Sequence, residues 1–573
     1  MHFCLGRRSL LLVSLAALVV LFFAAPHAFA QGGEPQYFAV RGAKVFPVSG
    51  PPIENATIVI VRGVITAVGK DVAIPAEAWI IDGKGLIVYP GLVDSFTDVG
   101  IPAAPTPAGP EGDAGAGGRP RRAQVGGAGG PQDRPGSTPW RNAADEVSLT
   151  DKRIETWRDA GFTTVVSAPK GGFFPGLAAV LDLAGERAGD LVVKSPVAIP
   201  VSLQTSGGFG SGFPDSLMGG LSYVRQVWLD TEWSTKAGAI YEKNPRGLER
   251  PPYDRTEAAL AEALEDHALV LIPANNNVQI RRALELADRW KVHAVLYGGQ
   301  MAYDTAPEIA AKKLPVLVNL KWPEGEKDAD PEEKPSLRTL RFRDRAPSAP
   351  AALAKAGVKF AFYSGAITTP KDLLKAVKKS IDAGLAPDAA LRALTLSPAE
   401  IFGVADRLGS VDTGKIANLV VTDGDLFAEK TKIKFVFVDG RKFEVHEPEK
   451  PKDPPKGDIT GKWKLVYTTP EGPEESTADL AMDKDGAVSG TVTGKRGTTS
   501  IITGYASADK FSFTINIPVQ DSPADVVFSG TFDATSLKGS ISVIGFNIDF
   551  TGTKPSASSL AADESTTVEG AAR

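Results

Sequence analysis

Between residues 150 and 400, apolar runs alternate with amphipathic stretches. The runs are "FTTVVSAP", "SPVAIPVSL", "ALVLIPA", "HAVLYGG", "LPVLVNL" and "VKFAFYSG", and helical stretches such as "IRRALELADRW" and "PKDLLKAVKKSIDAGL" lie between them. Apolar strands alternating with amphipathic helices indicate parallel β/α units whose strands are buried on both faces. With "GLVDSF" the count reaches seven or eight strands, which fits an α/β fold, a (β/α)8 TIM-like barrel over 91–403, better than an open sheet.

Short β-segments flank this region on both sides. "YFAVRGAKVFPV", "ATIVIVRGVITAVG" and "AWIIDGKGLIVYP" precede it, and "ANLVVTDGD" and "KIKFVFVDGRKFEV" follow it. They are rich in Val and Ile and interrupted by Gly, Asn and Pro, which is typical of a small antiparallel sheet. Just before the second group, "SPAEIFG" predicts a helix that begins with Ser397 as N-cap, Pro398 at the first position and Glu400 closing a capping box.

The last part of the chain predicts a separate all-β domain. A charged, Pro-rich linker at 446–458 leads into short strands with regular turns over 459–554, as in an antiparallel barrel. Its opening Gly461-Lys462-Trp463 resembles the first strand of a lipocalin-like barrel, and the alternative is a plain β-sandwich that docks onto a surface or partner. The small, polar tail at 555–573 is expected to be disordered.

Two other segments are expected to lie outside the packed domains. Residues 1–30 combine Arg7 and Arg8, an apolar run and the small-x-small sequence ending at Ala30, which predicts a signal peptide cleaved after Ala30. The protein is then secreted or periplasmic, by the general or the twin-arginine route; an uncleaved membrane anchor is the alternative. At about 101–140, a Gly/Pro-rich stretch predicts a disordered insertion.

Charge and cysteine content narrow the partners. The net charge of −5 argues against nucleic acid, and after signal cleavage no membrane partner is expected. The single cysteine, Cys4, lies in the signal segment, so the mature chain has no disulfide and depends on its hydrophobic core for stability.

Two long motifs carry a family resemblance. "VRGVITAVG" leading to "IDGKGLIVYPGLVD", and later "ALRALTLSPAEIFGVADRLGSVDTGKIANLVVTDGD" with "VFVDGRKF", resemble the amidohydrolase superfamily in its imidazolonepropionase-like and dipeptidase-like branch, over about 36–445. The resemblance implies a metal-dependent barrel with a composite β-sandwich built from 31–90 and 404–445. It also implies hydrolysis of carbon–nitrogen bonds other than ordinary peptide bonds, with water activated by one or two divalent ions.

The residues that the resemblance places at the metal are replaced in this chain. The first-strand pattern is Pro-Gly-x-x-Asp-x-His-x-His, and Pro90, Gly91 and Asp94 match it whereas both histidines are missing. Two later histidines and a final aspartate are also missing. The five positions are occupied by Phe96, Asp98, Pro273, Tyr297 and Gly365.

The number and position of the histidines also argue against a histidine-rich metal site. After residue 30 the chain contains only His267, His293 and His446, none of which is expected at the carboxyl ends of the barrel strands. No cofactor is therefore predicted with confidence. Zinc or another divalent cation would need a non-standard site, such as an oxygen-only site at Asp94 and Asp98.

Polar, mostly uncharged side chains remain at the predicted barrel mouth: Asp98, Asn275, Asn276, Tyr297, Gln300 and Ser364, with Asn277 and Lys170 beside them. They suit a small polar or peptide-like ligand, or else they merely cap strand and helix ends. Two functions stay open: a carbon–nitrogen hydrolase with a degenerate site, and a non-catalytic binding or scaffold protein. A homo-oligomer, or a hetero-oligomer with an active paralogue, is a further expectation.

Overall fold

The structure is a computed structural model that describes residues 37–102, 134–203, 214, 216–325, 334–445, 453–469, 472–483, 486–494, 497–519, 522–533, 535–543 and 546–554. The chain divides into two compact units on either side of the bond between Val445 and His446. The predicted signal peptide, the terminal tail and residues 103–133 of the predicted insertion lie outside the described residues. Within them, none of the helices has both the length and the apolar character needed to cross a bilayer.

The two ends of the first unit build one mixed sheet. Its strands are β1 (Tyr37–Val45), β2 (Ile53–Val61), β3 (Val64–Gly69), β4 (Trp79–Asp82) and β5 (Ile87–Pro90), joined after the barrel by β14 (Leu419–Thr422), β15 (Ile433–Val438) and β16 (Arg441–Glu444). The order is β16-β15-β14-β5-β1-β2-β3, with β4 beside β1. The rings of Phe38 on β1 and Phe437 on β15 lie 5.3 Å apart although two strands separate them, so the sheet curls around its own core.

The barrel lies between these two groups of strands. It consists of β6 (Leu92–Thr97), β7 (Phe162–Ser167), β8 (Ala178–Asp182), β9 (Val192–Pro200), β10 (Leu269–Ala274), β11 (Ala294–Gly298), β12 (Val316–Asn319) and β13 (Phe360–Tyr363) in consecutive order. The predicted fold class, a TIM-like barrel with a composite β unit, is confirmed. One strand departs from the parallel pattern, because β8 is antiparallel to both β7 and β9.

Helices cover the outside of the barrel. They are α1 (Ala143–Glu146), α2 (Arg153–Asp159), α3 (Leu217–Lys243), α4 (Arg255–Glu265), α5 (Asn277–Trp290), α6 (Ala302–Lys312), α7 (Leu337–Arg345), α8 (Ala349–Lys355), α9 (Pro370–Asp382), α10 (Pro387–Leu394) and α11 (Leu396–Ile401). Proline at the first position starts α9 and α10, where its missing N–H costs no helix hydrogen bond.

The predicted start of α11 is wrong by two residues. The helix begins at Leu396, immediately after α10 ends at Leu394, and Ser397 is a buried residue inside it. Thr395 occupies the N-cap position, but its hydroxyl donates to the carbonyl of Leu391 in the preceding helix instead of capping α11. The tight packing of two consecutive helices therefore replaces the capping box that the sequence suggested.

A buried junction connects the barrel to the composite sheet. The N–H of Gly91 donates to the carbonyl of Asn418 at 2.7 Å. The Asn418 amide in turn donates to Asp182 Oδ1 at 2.9 Å, and the Thr164 hydroxyl donates to the same oxygen at 2.6 Å. Burial raises the pKa of Asp182 to about 7, although both donors act to lower it.

The end of the predicted insertion is folded. Arg134 forms ion pairs with Asp230 (2.6 Å), Asp254 (2.8 Å) and Glu257 (2.5 Å), which lie on α3, just before α4 and on α4. Ser137, three residues further on, is fully buried. Residues 134–140 thus belong to the barrel unit, and one arginine attaches them to two helices.

The second unit is an eight-stranded antiparallel barrel closed by pairing of its first and last strands. The strands are β17 (Gly461–Thr469), β18 (Gly472–Met482), β19 (Val488–Gly494), β20 (Gly497–Ser507), β21 (Lys510–Val519), β22 (Ser522–Phe532), β23 (Ser536–Val543) and β24 (Phe546–Thr553). Trp463 is fully buried and its indole N–H donates to the Ile459 carbonyl at 2.7 Å. The described interior side chains pack into one cluster. The lipocalin-like relation stays a prediction.

Gly91→Ala tests the junction. A Cβ at residue 91 would lie 2.0 Å from the Thr163 hydroxyl oxygen and 2.7 Å from its Cβ, so strand β6 must move away from β7. We expect a loss of about 2–3 kcal/mol in the free energy of unfolding of the first unit. Chemical denaturation followed by tryptophan fluorescence measures it. Gly50→Ala, where an added Cβ meets nothing within 4 Å, is the control and is expected to be near neutral.

Candidate functional site

A cavity of about 360 Å³ opens at the carboxyl ends of the barrel strands. This is the end at which parallel β/α barrels place their active sites, because the βα loops converge there. Residues that line the cavity are Phe96, Thr97, Ala168, Pro169, Lys170, Leu203, Pro273, Asn275, Gln279, Tyr297, Asn319, Tyr363, Gly365 and Ala366. Four of the five replaced metal-ligand positions are among them, so the cavity occupies the place of the implied metal site.

Three aromatic rings form one wall of the cavity. The ring centroid of Phe96 lies 5.2 Å from that of Tyr297 and 5.8 Å from that of Tyr363. The Tyr297 hydroxyl donates to the carbonyl of Val201 at 2.9 Å. Burial raises the pKa of both tyrosines well above the usual range, so both phenols stay protonated near neutral pH.

Two side-chain amides lie over glycines at the same strand ends. A Cβ at Gly298 would be 2.4 Å from Asn275 Oδ1, and a Cβ at Gly365 would be 2.3 Å from Asn319 Oδ1. The second contact is informative, because Gly365 occupies the position of the implied aspartate. The Asn319 amide therefore occupies space that a larger side chain at residue 365 would need.

The first two asparagines of the "NNN" segment (275–277) have different roles. Asn275 lines the cavity, and the Gln279 side chain accepts its backbone N–H at 3.0 Å. Asn276 instead caps α5, accepting the N–H groups of Val278 and Gln279 at 3.1 and 3.0 Å. Asn276 does not line this cavity. Of the two roles considered for these residues, Asn276 caps a helix and Asn275 faces the cavity.

Gln300 and Ser364, which the sequence placed at the barrel mouth, do not line the cavity either. The Gln300 amide donates to the carbonyls of Asn319 (3.1 Å) and Lys321 (2.5 Å), so it holds the loop after β12 rather than facing the cavity. Ser364 is buried, and its backbone N–H donates to Asp94 Oδ1 at 2.9 Å. This bond connects the last barrel strand to the first.

Asp98 is engaged by two cations at the edge of the cavity. Its carboxylate oxygens accept from Arg153 and Lys170, each at 2.9 Å, and Arg153 also pairs with Asp151. Burial raises the pKa of Asp98, but the hydrogen bond from Lys170 and the charge of Arg153 outweigh this effect, and the net shift is downward. Both carboxylate oxygens already have cationic partners.

Asp94 is fully buried below the cavity. It accepts hydrogen bonds from the Ser364 N–H and from the Trp157 indole N–H at 3.2 Å. Burial raises its pKa to about 6, although these donors act to lower it. Asp94 does not line the cavity, and its role in the structure is to connect β6 to β13.

The donor set does not fit the metal that the family resemblance implies. In the described part of the chain, no group of three or more His, Cys, Asp and Glu side chains is arranged to hold an ion. His267 and His293 are exposed at the amino-terminal ends of β10 and β11, opposite the cavity. The oxygen-only alternative has no support either, because Asp98 is paired with cations and Asp94 is buried in the barrel seam.

Sequence reasoning missed eight residues of the cavity, of which Gln279, Asn319 and Tyr363 carry large polar side chains; the others are Thr97, Ala168, Pro169, Leu203 and Ala366. Asn319 and Tyr363 lie near the ends of the apolar runs "LPVLVNL" and "VKFAFYSG" and are the last residues of β12 and β13, so their position at a strand end was a usable signal. Gln279 lies in the first turn of α5, three residues after the N-cap, and reaches the cavity only because that helix begins at the barrel mouth.

The fold is a β/α barrel with a composite sheet, and the comparisons with known proteins find similarity to amidohydrolases. The model of the amidohydrolase family matches residues 274–445. A solved amidohydrolase from Thermotoga maritima MSB8 is similar in fold, with 22% identity and a TM-score of 0.56 over 71% of this chain and 100% of that one. The predicted resemblance to the amidohydrolase superfamily is therefore confirmed.

Other solved structures are more distant. A Xaa-Pro dipeptidase with bound methionine has 16% identity and a TM-score of 0.43, over 71% of this chain and all of that one. Molinate hydrolase has 17% identity and a TM-score of 0.41, over 73% of this chain and 96% of that one. A search of the curated proteins found no match. The family match supports a hydrolase only as a coarse class.

Asp94→Asn tests the buried seam through pH. The folded chain raises the pKa of Asp94 from 3.8 to about 6, so the folded state binds this proton more tightly. The stability contributed by the proton is present below about pH 4 and lost as the pH rises through about 6. From about pH 4 to 7 we expect the wild type to lose up to about 3 kcal/mol relative to Asp94→Asn.

Denaturation of both proteins across this pH range measures the difference. Replacing the exposed Asp71 with Asn is the control and should follow the wild type at every pH. Parallel curves for the wild type and Asp94→Asn would contradict the assignment.

Proposed function

We propose that this protein is an amidohydrolase-type barrel that binds a small amide-bearing molecule at the barrel mouth without the family's metal-dependent hydrolysis. The observation that carries the proposal is the composition of the cavity wall. Phe96 and Tyr297 occupy two positions where the resemblance places imidazoles, and the Asn319 amide lies against Gly365, at the position of the implied aspartate. The protein is further proposed to be secreted or periplasmic, on the basis of its first thirty residues.

The wall suggests the chemistry of the ligand. The side chains of Asn275, Gln279 and Asn319 complement an amide or imide group, because a side-chain amide both donates and accepts. The Gln279 and Asn319 oxygens each also accept one backbone N–H, from Asn275 at 3.0 Å and from Lys321 at 2.8 Å. The rings of Phe96 and Tyr363 suit a flat or apolar part of the same molecule. Lys170, with a side chain that is 67% exposed, lies at the rim, where it can reach a carboxylate on the ligand. A small polar or peptide-like molecule satisfies all of these groups.

Hydrolysis lacks an activating group among the described cavity residues. Amide hydrolysis needs a nucleophile, and water becomes one near neutral pH through a metal ion or a well-placed base. The tyrosine phenols remain protonated, and the carboxyl of Asp94 is buried away from the cavity. Asp98 is held as a carboxylate by Lys170 and Arg153, which lowers its basicity.

A hydrolase of carbon–nitrogen bonds other than peptide bonds is the second candidate, and the family match over residues 274–445 favours it. In that case this chain, alone or in an oligomer with an active paralogue, would act on lactams, cyclic imides or blocked dipeptides. The binding protein and the hydrolase would both bind amide-bearing compounds, but only the hydrolase would cleave them. One set of compounds therefore tests both proposals.

The binding proposal predicts the effect of Asn319→Ala. The variant removes one neutral hydrogen-bonding side chain from the cavity, and we expect about a tenfold rise in the Kd for N-acetyl-L-phenylalaninamide, measured by isothermal titration calorimetry. Gln226→Ala, at an exposed position on α3 that does not line the cavity, is the matched control and should bind as the wild type does. Equal affinity of both variants would place the ligand elsewhere.

Metal content and turnover separate the candidates. The proposal predicts that the purified protein holds no stoichiometric zinc, and that added zinc produces no hydrolysis of blocked dipeptides or cyclic imides. Stoichiometric metal with turnover abolished by Asp98→Ala, but kept in the surface control Asp190→Ala, would establish the hydrolase instead. Asp190 is a suitable control because it pairs with Arg187 at an exposed site.

A further inference from the structure

A second cavity, of about 490 Å³, lies next to the β10–α5 loop. The amino-terminal ends of α5 and α6 and one face of α7 surround it. Both α5 and α6 follow the carboxyl ends of their strands, so this cavity is on the same side of the barrel as the mouth. The "NNN" segment separates the two, because Asn275 lines the first cavity whereas Asn276 and Asn277 line the second.

The second cavity has an unbalanced positive charge. Arg338, Arg341 and Arg345 line it from α7, and Asp304 on α6 is the carboxylate facing them within its lining. Asp304 pairs with Arg345 at 3.2 Å. Arg338 and Arg341 form no ion pair with any described residue, so within the described part of the chain no carboxylate balances their charge.

Helix α7 contributes little to the hydrophobic core. It buries no residue, and its main apolar attachment is the half-buried Phe342, which packs against the barrel core. Its arginines at i, i+3 and i+7 lie on one face, where like charges repel one another. An anion between these side chains would cancel the repulsion and attach the helix to the barrel.

The surrounding groups favour an anion with an oxygen-rich head. Guanidinium groups bind phosphate and carboxylate through paired N–H···O bonds, and the positive ends of the α5 and α6 dipoles point toward the same space. Arg345 is held over the ring of Tyr303, with its guanidinium carbon 4.5 Å from the centroid, which fixes one side of the site. Leu337 and Phe342 provide an apolar wall for an organic substituent.

We propose that this cavity is a binding site for a phosphate group, free or as an ester, held by Arg338 and Arg341. The site is distinct from the barrel-mouth cavity, and the proposal does not depend on the function assigned there.

Titration of the full chain with inorganic phosphate and with phenyl phosphate tests the proposal, with sodium chloride at matched ionic strength as the reference. Binding should be detectable at millimolar phosphate, and the double variant Arg338→Gln/Arg341→Gln should weaken it at least thirtyfold. Arg343→Gln, on the same helix but outside the cavity lining, is the control and should retain the wild-type affinity. Tighter binding of phenyl phosphate indicates an ester as the ligand, and equal or tighter binding of inorganic phosphate indicates the free ion.

Three outcomes of this titration would overturn the proposal: no binding at millimolar phosphate, equal losses in the double variant and in Arg343→Gln, or binding in the double variant as tight as in the wild type. A further arm concerns the acidic run "EKDADPEE" at 326–333, which precedes α7 in the sequence and lies outside the described residues. In this variant each Glu of the run is replaced by Gln and each Asp by Asn. Phosphate binding seen only after this replacement would also overturn the proposal, because the chain's own carboxylates would then be the partners of the arginines.

Discussion

The pairing of β5 with β14 holds the two ends of the barrel segment together, and the junction beside it sets the position of the first barrel strand. Gly91 passes so close to Thr163 that no side chain fits, and its N–H is bonded to Asn418. Asn418 and Thr164 satisfy the buried carboxyl of Asp182. A buried carboxyl without hydrogen-bond partners would cost several kcal/mol. The barrel strands that carry Thr164 and Asp182 therefore have to assemble together with the segment of the composite sheet that carries Asn418. The orientation of β6, and with it the positions of Phe96 and Asp98, follows from this junction.

At the carboxyl ends of the barrel strands, aromatic rings and side-chain amides fill much of the barrel mouth. Phe96 and Tyr297 contact each other edge to face, and the Asn319 amide lies where a larger side chain at residue 365 would collide with it. These substitutions depend on one another sterically, because the rings and amides fill space that metal ligands would otherwise take. A single substitution at Phe96, Tyr297 or Gly365 would therefore not clear the space for a metal site. The seam between β6 and β13, closed through Asp94 and the backbone of Ser364, keeps the barrel intact beneath the altered mouth.

The loop after β10 shows how three identical residues acquire different surroundings. Asn275 faces the barrel mouth, Asn276 completes the hydrogen bonding of α5, and Asn277 lies beside the arginines of α7. A side-chain amide suits each place because it both donates and accepts. The segment borders two neighbouring cavities of different composition: rings and side-chain amides with Lys170 line the first, and three arginines line the second.

Much of the fold could be predicted from the sequence, because strands buried on both faces leave continuous apolar runs and the flanking motifs are long. The absence of a histidine-rich site was also determined by the sequence, since no arrangement of three histidines after residue 30 supplies the missing ligands. The tertiary structure alone decided the antiparallel direction of β8 and the start of α11, because both depend on how neighbouring elements pack together rather than on the residue pattern within each element. It also decided which polar residues face the cavity. Beyond a strand end the alternation of side chains no longer applies, and so Gln279 and Asn319 line the mouth whereas Gln300 and Ser364 support it from outside.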